Sequence, residues 1–326
     1  MQGKEASEQE TKAKSNVGID VSKDWLDIHV LPADERLRVP NHHAGMRQLK
    51  RWLMRFDVVL VVVEATGKWH RSVQRSLSAS AMPVAVIDPF RVRMFAKAQG
   101  ILAKTDRLDA RVLAQFAAVM TPSVRAPATQ MIEELRELVV ARASAVEQQT
   151  ALKNQRSAAT VRFLQRQLDR RIERADRDIE ALDAAIRKRV EADDGLARRY
   201  AILTSITGIG FVAAATLLAS LPELGSSTVK QIAMLAGLAP IADQSGKRDG
   251  VRVVWGGRAS VRRVLYLAAL TATRFNADMA AFYRRMTAAG KPPKLVLIAV
   301  ARKLAVLANT LVGEDRIWLP EAPKHA

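Results

Sequence analysis

The sequence predicts three successive regions: an α/β domain, a long helical arm and a mainly α-helical C-terminal domain. Short apolar runs bounded by turn residues fill the first third of the chain, which indicates strands. Residues 129–200 contain no proline and one glycine and are rich in Ala, Arg, Glu, Leu and Gln, a composition typical of long helices. Beyond residue 200, apolar helical patterns alternate with glycine-containing turns.

The α/β domain is predicted to span residues 16–125, after a disordered arm at residues 1–15 that lacks apolar periodicity. Three early strands followed by alternating helices and strands predict a sheet layered with helices. The strands are VGIDVS, WLDIHV, a short strand around Leu37–Val39, VVLVVVEA at 58–65 and VAVID at 84–88, and the helices are Gly45–Phe56 and Arg71–Ser80.

The arm is predicted at residues 126–200. Apolar residues within it step by four and three, which is the a/d spacing of a coiled coil. They are Leu168, Ile172, Ala175, Ile179, Leu182 and Ile186. A helical hairpin or coiled-coil arm accounts for this spacing. A long helix packed on its own domain is the alternative, because the pattern is shorter than the roughly three to four heptads expected of a coiled coil.

The helical C-terminal domain is predicted at residues 201–313, followed by a tail at 314–326. Between Pro240 and Thr310 there are 13 Lys and Arg residues against three acids, so more than half of the net charge of +18 lies there. Such a local excess favours nucleic acid through phosphate contacts, with an anionic membrane surface as the second choice. Against a membrane, the aliphatic run Val58–Val63 is far shorter than the roughly 20 residues of a spanning helix.

Several classes of protein are disfavoured by what the sequence lacks. It contains no cysteine, which excludes disulfides, thiolate zinc sites and a cysteine nucleophile. The polar N-terminus does not resemble a signal peptide, so a cytoplasmic protein is expected. No P-loop motif occurs, and the five histidines show no metal-ligand spacing. Aromatic residues make up 5% of the chain, so backbone contacts should outweigh base stacking.

Four carboxylates are the candidates for chemistry. Asp20 ends one apolar strand and Glu64 ends another, while Asp106 and Asp109 lie three apart on a predicted helix with Thr105 as its N-cap. If strand ends and helix meet, the crowded acids require a hard cation, and oxygen ligands favour Mg²⁺ or Mn²⁺. Taken singly, each could be an ordinary strand-end or helix-start acid. The neighbouring acids Asp24, Asp27 and Asp88 are expected to be solvated.

The segments GIDVSKDWLDIHV, VVVEATGKWH and AKTDRLDARVLAQ resemble the three blocks of the DEDD transposases of insertion sequences. The segments LTSITGIGFVAAATLLASL, KQIAMLAGLAPIADQSGKRDG and GRASVRRVLYLAALTATRF resemble the second domain of that family. The resemblance covers nearly the whole chain. It implies a RuvC-like, RNase H-fold N-terminal domain, an acidic tetrad of Asp20, Glu64, Asp106 and Asp109, and a nucleophilic serine at Ser245.

For the family, the resemblance implies DNA strand cleavage through a covalent phosphoserine, followed by strand exchange. It further implies a composite site shared between subunits of a homodimer or tetramer, with double-stranded donor and target DNA as substrates. Some members are guided by a structured RNA encoded beside the transposase. Without the resemblance, Ser245 is a serine in a polar loop, and the chain offers Ser226, Ser227 and Ser260 as equal candidates.

Further residues are candidates for binding nucleic acid. The glycines Gly208 and Gly210 lie between two apolar helical patterns, similar to a helix-hairpin-helix, and a tight turn between core helices explains them equally. Three arginines at the start of the next helix suit a phosphate clamp or a solvated face. The full set is Gly208, Gly210, Lys247, Arg248, Arg252, Arg258, Arg262 and Arg263.

Two other functions remain open from the sequence. A Holliday-junction resolvase would use the acids and leave Ser245 idle. A scaffold that binds nucleic acid without catalysis would use neither.

Overall fold

The structure, a computed structural model, describes residues 13–101, 106–241, 244–245, 248–249 and 253–319. The chain divides into two compact units, residues 1–127 and 128–326, so the predicted arm and C-terminal domain belong to one unit. Most of the predicted N-terminal arm lies outside the described residues. Its last part was wrongly predicted, because Lys14 and Ser15 already form part of the first strand and Ser15 is buried.

The first unit is a five-stranded mixed sheet with helices, which confirms the predicted α/β domain and is consistent with an RNase H-like domain. The strand order is β3-β2-β1-β4-β5, with β1, β2 and β3 antiparallel and β1, β4 and β5 parallel. Its elements are β1 (Lys14–Val21), β2 (Trp25–Leu31), β3 (Glu35–Pro40), α1 (His43–Leu53), β4 (Asp57–Glu64), α2 (His70–Ser78), β5 (Val84–Ile87), α3 (Pro89–Ala98) and α4 (Asp106–Met120). Helix α3 was not predicted.

The two faces of this sheet are covered by different helices. Val17 and Ile19 of β1 pack in one apolar cluster with side chains of α1 and α2. Leu60 and Val62 of β4 pack in a second cluster with side chains of α3 and α4. Because side chains alternate along a strand, even-numbered residues of β1 and β4 share the α4 face. The last such residue of each strand is a candidate acid, Asp20 and Glu64.

Helix α4 lies unusually close to β1 at Gly18. A Cβ atom at this position would come within 2.1 Å of the carbonyl oxygen of Ala110 and 2.3 Å of the amide nitrogen of Ala114. No side chain fits in that space, so glycine is needed for the helix to rest directly on the strand. The contact fixes the height of α4, and therefore of Asp109, above the sheet.

In the residues that the structure describes, the second unit is helical apart from four short strands. Its elements are α5 (Gln130–Ala158), α6 (Arg162–Glu191), α7 (Asp194–Ser205), α8 (Phe211–Ser220), α9 (Val229–Leu235), β6 (Pro240–Ile241), β7 (Gln244–Ser245), β8 (Arg248–Asp249), β9 (Val253–Val254), α10 (Ala259–Phe275), α11 (Ala277–Ala288) and α12 (Pro293–Gly313). The strands were not predicted: β6 pairs with β9 and β7 with β8, both antiparallel.

Helices α5 and α6 pack against each other as a helical hairpin. Polar pairs between them recur every seven residues along both helices in opposite directions: Arg142 with Asp183, Gln149 with Asp176, and Arg156 with Asp169 at 2.6 Å. A seven-residue recurrence on both partners is the spacing of heptad packing. Every residue of the predicted a/d spacing on α6 is buried or half-buried.

Helix α12 is the one helix of the described chain that is long and apolar enough to cross a membrane. Half of its apolar stretch is buried inside the second unit, and Val300, Leu304 and Ala308 have no surface exposed to solvent. It packs against α7, α9, α10 and α11. These contacts are those of a core helix.

We expect Gly18→Ala to destabilise the first unit and to abolish its chemistry. The added methyl group must push α4 off β1, because the atoms in its way belong to backbone. Overpacking of this kind costs about 1–3 kcal/mol, and the shift would separate Asp109 from the strand-end acids. Thermal unfolding followed by circular dichroism and a DNA cleavage assay would measure both effects. Gly195→Ala is the control for inserting a methyl group, since this exposed helical glycine has an ordinary φ and its Cβ would meet only the side-chain Oδ1 of Asp193, at 3.2 Å; an equal loss in both variants would contradict the packing argument.

Candidate active site

Asp20 and Glu64 lie side by side at one edge of the sheet. Strands β1 and β4 are parallel neighbours, and the last pair in their register joins Ile19 to Val63. Asp20 and Glu64 follow these residues directly, so both carboxylates leave the same edge on the face covered by α4. Both residues are half-buried. The sheet thus brings two carboxylates together that are 44 positions apart in the sequence.

Helix α4 carries the other two candidate acids. It begins at Asp106, and Ala110, the residue after half-buried Asp109, is the one that rests on Gly18, two residues before Asp20. The side chain of Asp106 and the predicted N-cap Thr105 lie outside the described residues. Among the side chains that are described, no three acids or histidines come close enough to hold a metal ion together. Of the four predicted acids, Asp20 and Glu64 are the two that the sheet places next to each other.

Asp27 and His29 extend this polar face onto β2. Asp27 is the register partner of Asp20 and is 9% exposed, so the prediction of a solvated acid was wrong. Its carboxylate lies 3.6 Å from the guanidinium Nε of Arg38 on β3. The alternation in WLDIHV, with Leu26, Ile28 and Val30 on the apolar face, is the signal that could have placed Asp27 and His29 on the acidic face.

His29 is fully buried on the same face of the sheet. No chemistry was predicted for it from the sequence. Burial lowers the pKa of its imidazole below the usual value, and the cations of Arg36 and Arg111 act in the same direction. Its Nε2 atom is 3.0 Å from the carboxylate of Asp34, which opposes the shift. The net direction is downward because desolvation is the largest cause, so His29 is neutral near pH 7.

The other two acids that were expected to be solvated are exposed. Asp24 lies in the turn between β1 and β2. Asp88 caps α3, where its carboxylate accepts a hydrogen bond of 2.9 Å from the amide of Phe90. Neither residue belongs to the acidic face.

Ser245 lies in a short β-hairpin rather than in a loop. It belongs to β7, and its register partner on β8 is Arg248. The backbone of these two residues is described and their side chains are not. The candidate cations Lys247 and Arg252 lie outside the described residues.

The three clustered arginines at the start of α10 contact partners within the chain. Arg258 donates two hydrogen bonds of 2.5 and 2.7 Å to the carboxylate of Glu223. Arg263 forms an ion pair of 2.6 Å with Glu147 on α5. Arg262 donates to the carbonyl oxygen of Gly256 at 2.7 Å, next to β9. All three guanidinium groups thus have partners within the protein. Arg262 binds the chain just after β9, and β9 pairs with β6 on either side of the Ser245 hairpin.

The two candidate glycines differ in their surroundings. Gly208 has a φ of +112°, and a Cβ there would meet the Cβ of Ala272 at 2.7 Å, so it permits close packing on α10. Gly210 is the N-cap of α8 and has open space where a side chain would be. Of the two, Gly210 is the position at which a phosphate could approach the first amides of α8.

Known proteins resemble this chain along most of its length. Residues 17–163 match the IS110 family of DEDD transposases, described as a transposase, and residues 200–284 match a family described as the transposase of IS116/IS110/IS902. Together the two matches cover more than two thirds of the 326 residues.

Curated relatives carry names from the same field. The pilin gene-inverting proteins of Moraxella bovis and Moraxella lacunata are each 26% identical over 318 residues, covering 93% of this chain and 97% of theirs. An uncharacterized 43.6 kDa protein of insertion element IS110 from Streptomyces coelicolor is 31% identical over 127 residues, 37% of this chain and 31% of its own. On the two family matches, spread across both structural units, the chain belongs to the IS110 family of DEDD transposases.

Proposed function

We propose that this transposase cuts and rejoins DNA with a divalent metal ion held by Asp20, Glu64, Asp106 and Asp109 and with Ser245 as nucleophile. The observation that carries the acidic half is the adjacency of Asp20 and Glu64 on neighbouring parallel strands, beneath the helix that bears the other two acids. The serine half rests on the resemblance of its segment to the family.

The donor set fits a hard cation. All four candidates are carboxylates, and oxygen ligands favour Mg²⁺ or Mn²⁺ over softer metals. Asp20 and Glu64 follow directly on the register pair Ile19–Val63 of two parallel strands, so their carboxylates are neighbours on one face of the sheet. A bound divalent ion would offset the repulsion between these carboxylates and would supply charge stabilisation at the oxygens of the scissile phosphate.

The proposed reaction is two successive phosphoryl transfers. The Ser245 hydroxyl oxygen attacks phosphorus, a P–O bond to serine forms, the bond to one DNA oxygen breaks, and the serine proton passes to the departing oxygen. A DNA hydroxyl then attacks the phosphoserine, the new DNA linkage forms, and the proton returns to Ser245. Phosphodiester bonds are conserved, so no nucleotide hydrolysis is required.

The substrate is double-stranded DNA, as donor and as target. Relatives named for pilin gene inversion support recombination between defined DNA sites. As the family resemblance implies, the proposal includes a homodimer or tetramer in which the carboxylates of one subunit meet the serine of another, joined partly by the α5–α6 hairpin.

A structured guide RNA is the proposed source of sequence recognition. Few aromatic side chains and many arginines suit a protein that holds backbone while base pairing selects the site. Expressed from its native locus and purified, the protein should carry one enriched noncoding RNA, detected by sequencing the bound nucleic acid. Co-purification of only a random sample of cellular RNA would refute guidance.

Removal of single carboxylates should abolish cleavage while preserving the fold. Asp20→Asn and Glu64→Gln keep side-chain size, and each should lower the rate of Mg²⁺-dependent DNA cleavage by at least about a hundredfold, because a metal contributes several kcal/mol of transition-state stabilisation. The matched control is Asp24→Asn, an exposed acid in the adjoining turn. A scaffold without catalysis would show no cleavage in any variant, including the unmodified protein.

Ser245→Ala should abolish both recombination and the covalent protein–DNA adduct. The measurement is denaturing electrophoresis of labelled DNA after incubation with Mg²⁺, followed by mass spectrometry of the adduct, which should map to Ser245. Ser226→Ala is the control, since its hydroxyl donates to the carbonyl of Glu223 and the variant should retain the adduct. A resolvase that uses the acids and water would continue to cut after Ser245→Ala, and that result would overturn the serine mechanism.

A further inference from the structure

An open groove lies between α11 and α12. It has a volume of about 900 Å³, within the range of ligand-binding clefts. Its walls come from both helices and from the chain that follows α12. We propose that this α11–α12 groove binds a short unpaired segment of nucleic acid, a role distinct from those of the acidic site and Ser245.

The charge of the groove favours a polyanion. Four of its lining residues are cations, Arg285, Arg302, Lys303 and Arg316, and Asp278 is the acid among the lining residues described. Within the described chain, Arg302 and Lys303 form no ion pair, whereas Arg316 pairs with Glu314 at 3.0 Å. Arg302 and Lys303 therefore differ from the arginines at the start of α10, whose guanidinium groups contact carboxylates or carbonyl groups.

Aromatic side chains lie beside these cations. Phe282 has the Lys303 ammonium 4.9 Å and the Arg285 guanidinium 5.4 Å from its ring centre, so both cations are held over the ring. Trp318 also lines the groove, and its backbone amide donates a hydrogen bond of 2.9 Å to the Ser205 hydroxyl. That bond ties the chain after α12 to α7 and keeps the indole in place.

An unpaired strand matches this combination better than a duplex does. A duplex presents phosphates while its bases stay stacked inside, so it could satisfy the cations and would leave the aromatic walls unused. An unpaired segment offers both groups: phosphates for the cations that Phe282 holds, and base faces for stacking on Trp318. A lipid headgroup would meet the cations, but the apolar face of α12 that could enter a membrane is buried in the core.

The proposal can be tested by binding alone, on a protein unable to cut. In the Asp20→Asn background, the affinity for labelled 12-nucleotide single strands of DNA and RNA would be measured by fluorescence anisotropy over a range of salt concentrations. Arg302→Gln with Lys303→Gln should weaken binding on the order of tenfold and lower the slope of log K against log salt by roughly 1.4, about 0.7 per lost phosphate contact. A duplex of the same sequence could use the same cations, so duplex and single strand are compared in Trp318→Ala, which should weaken the single-strand affinity alone.

The matched control is Lys291→Gln with Lys294→Gln, which removes the same charge from exposed residues of the same unit that do not line the groove. It should change the affinity far less. Trp318→Phe should keep most of the affinity and lose the tryptophan quenching caused by bound strand, whereas Trp318→Ala should weaken binding about fivefold to a hundredfold, the usual range for one lost stacking contact.

Equal effects in the groove and control pairs, or an equal loss for duplex and single strand in Trp318→Ala, would overturn the proposal. Tighter binding after removal of residues 320–326 would instead identify the chain's own C-terminus as the occupant. Stronger binding to anionic vesicles than to single strands would favour a lipid headgroup. Because cleavage plays no part in these measurements, failure here leaves the proposed reaction untouched, and absence of a Ser245 adduct leaves the groove untouched.

Discussion

The close contact between Gly18 and α4 is the constraint on which the candidate active site depends. A helix normally stands off a sheet by the length of the side chains between them, and here the backbone of Ala110 and Ala114 occupies the position of a missing Cβ. The sheet places Asp20 and Glu64 at one edge, and this contact sets the distance of α4, which bears Asp109, from the strand that bears Asp20. The position of the helix that bears Asp109 therefore depends on Gly18, although glycine has no side chain that could take part in the chemistry.

The cations illustrate why charge counted along a sequence does not locate a binding surface. Arg258, Arg262 and Arg263 lie in the most basic stretch, yet their guanidinium groups contact Glu223, Gly256 and Glu147. Such bonds consume the donors a phosphate would need, and breaking a half-buried pair leaves a carboxylate uncompensated. The cations of α11 and α12 retain their donors, because few acids lie near them in the fold. Partners distant in sequence decide which basic residues remain available.

Sequence patterns predicted the sheet well and local detail less well. Short apolar runs predicted the five strands, and the a/d spacing predicted the packed face of α6, because both signals reflect burial along a single element. Three features escaped. The two-residue strands around Ser245 are too short for periodicity, α3 has weak amphipathicity, and the burial of Asp27 depends on a helix more than 80 positions away. The order of the four carboxylates along the chain made them candidates together, and the family resemblance identified them as a catalytic tetrad.

On the proposed mechanism, the Ser245 hairpin must deliver a hydroxyl to within bonding distance of phosphorus, and two-residue strands are a weak support for such precision. The hairpin is supported by contacts at the two ends of the segment that contains it. Gly257 packs backbone to backbone on Gly237, and Arg262 donates to the carbonyl of Gly256, so both ends of the 238–256 segment are fixed to α9 and α10. A segment anchored at both of its ends suits a nucleophile that must be presented to DNA held by carboxylates of another unit. Arg262 then serves the reaction by holding the hairpin rather than by holding phosphate.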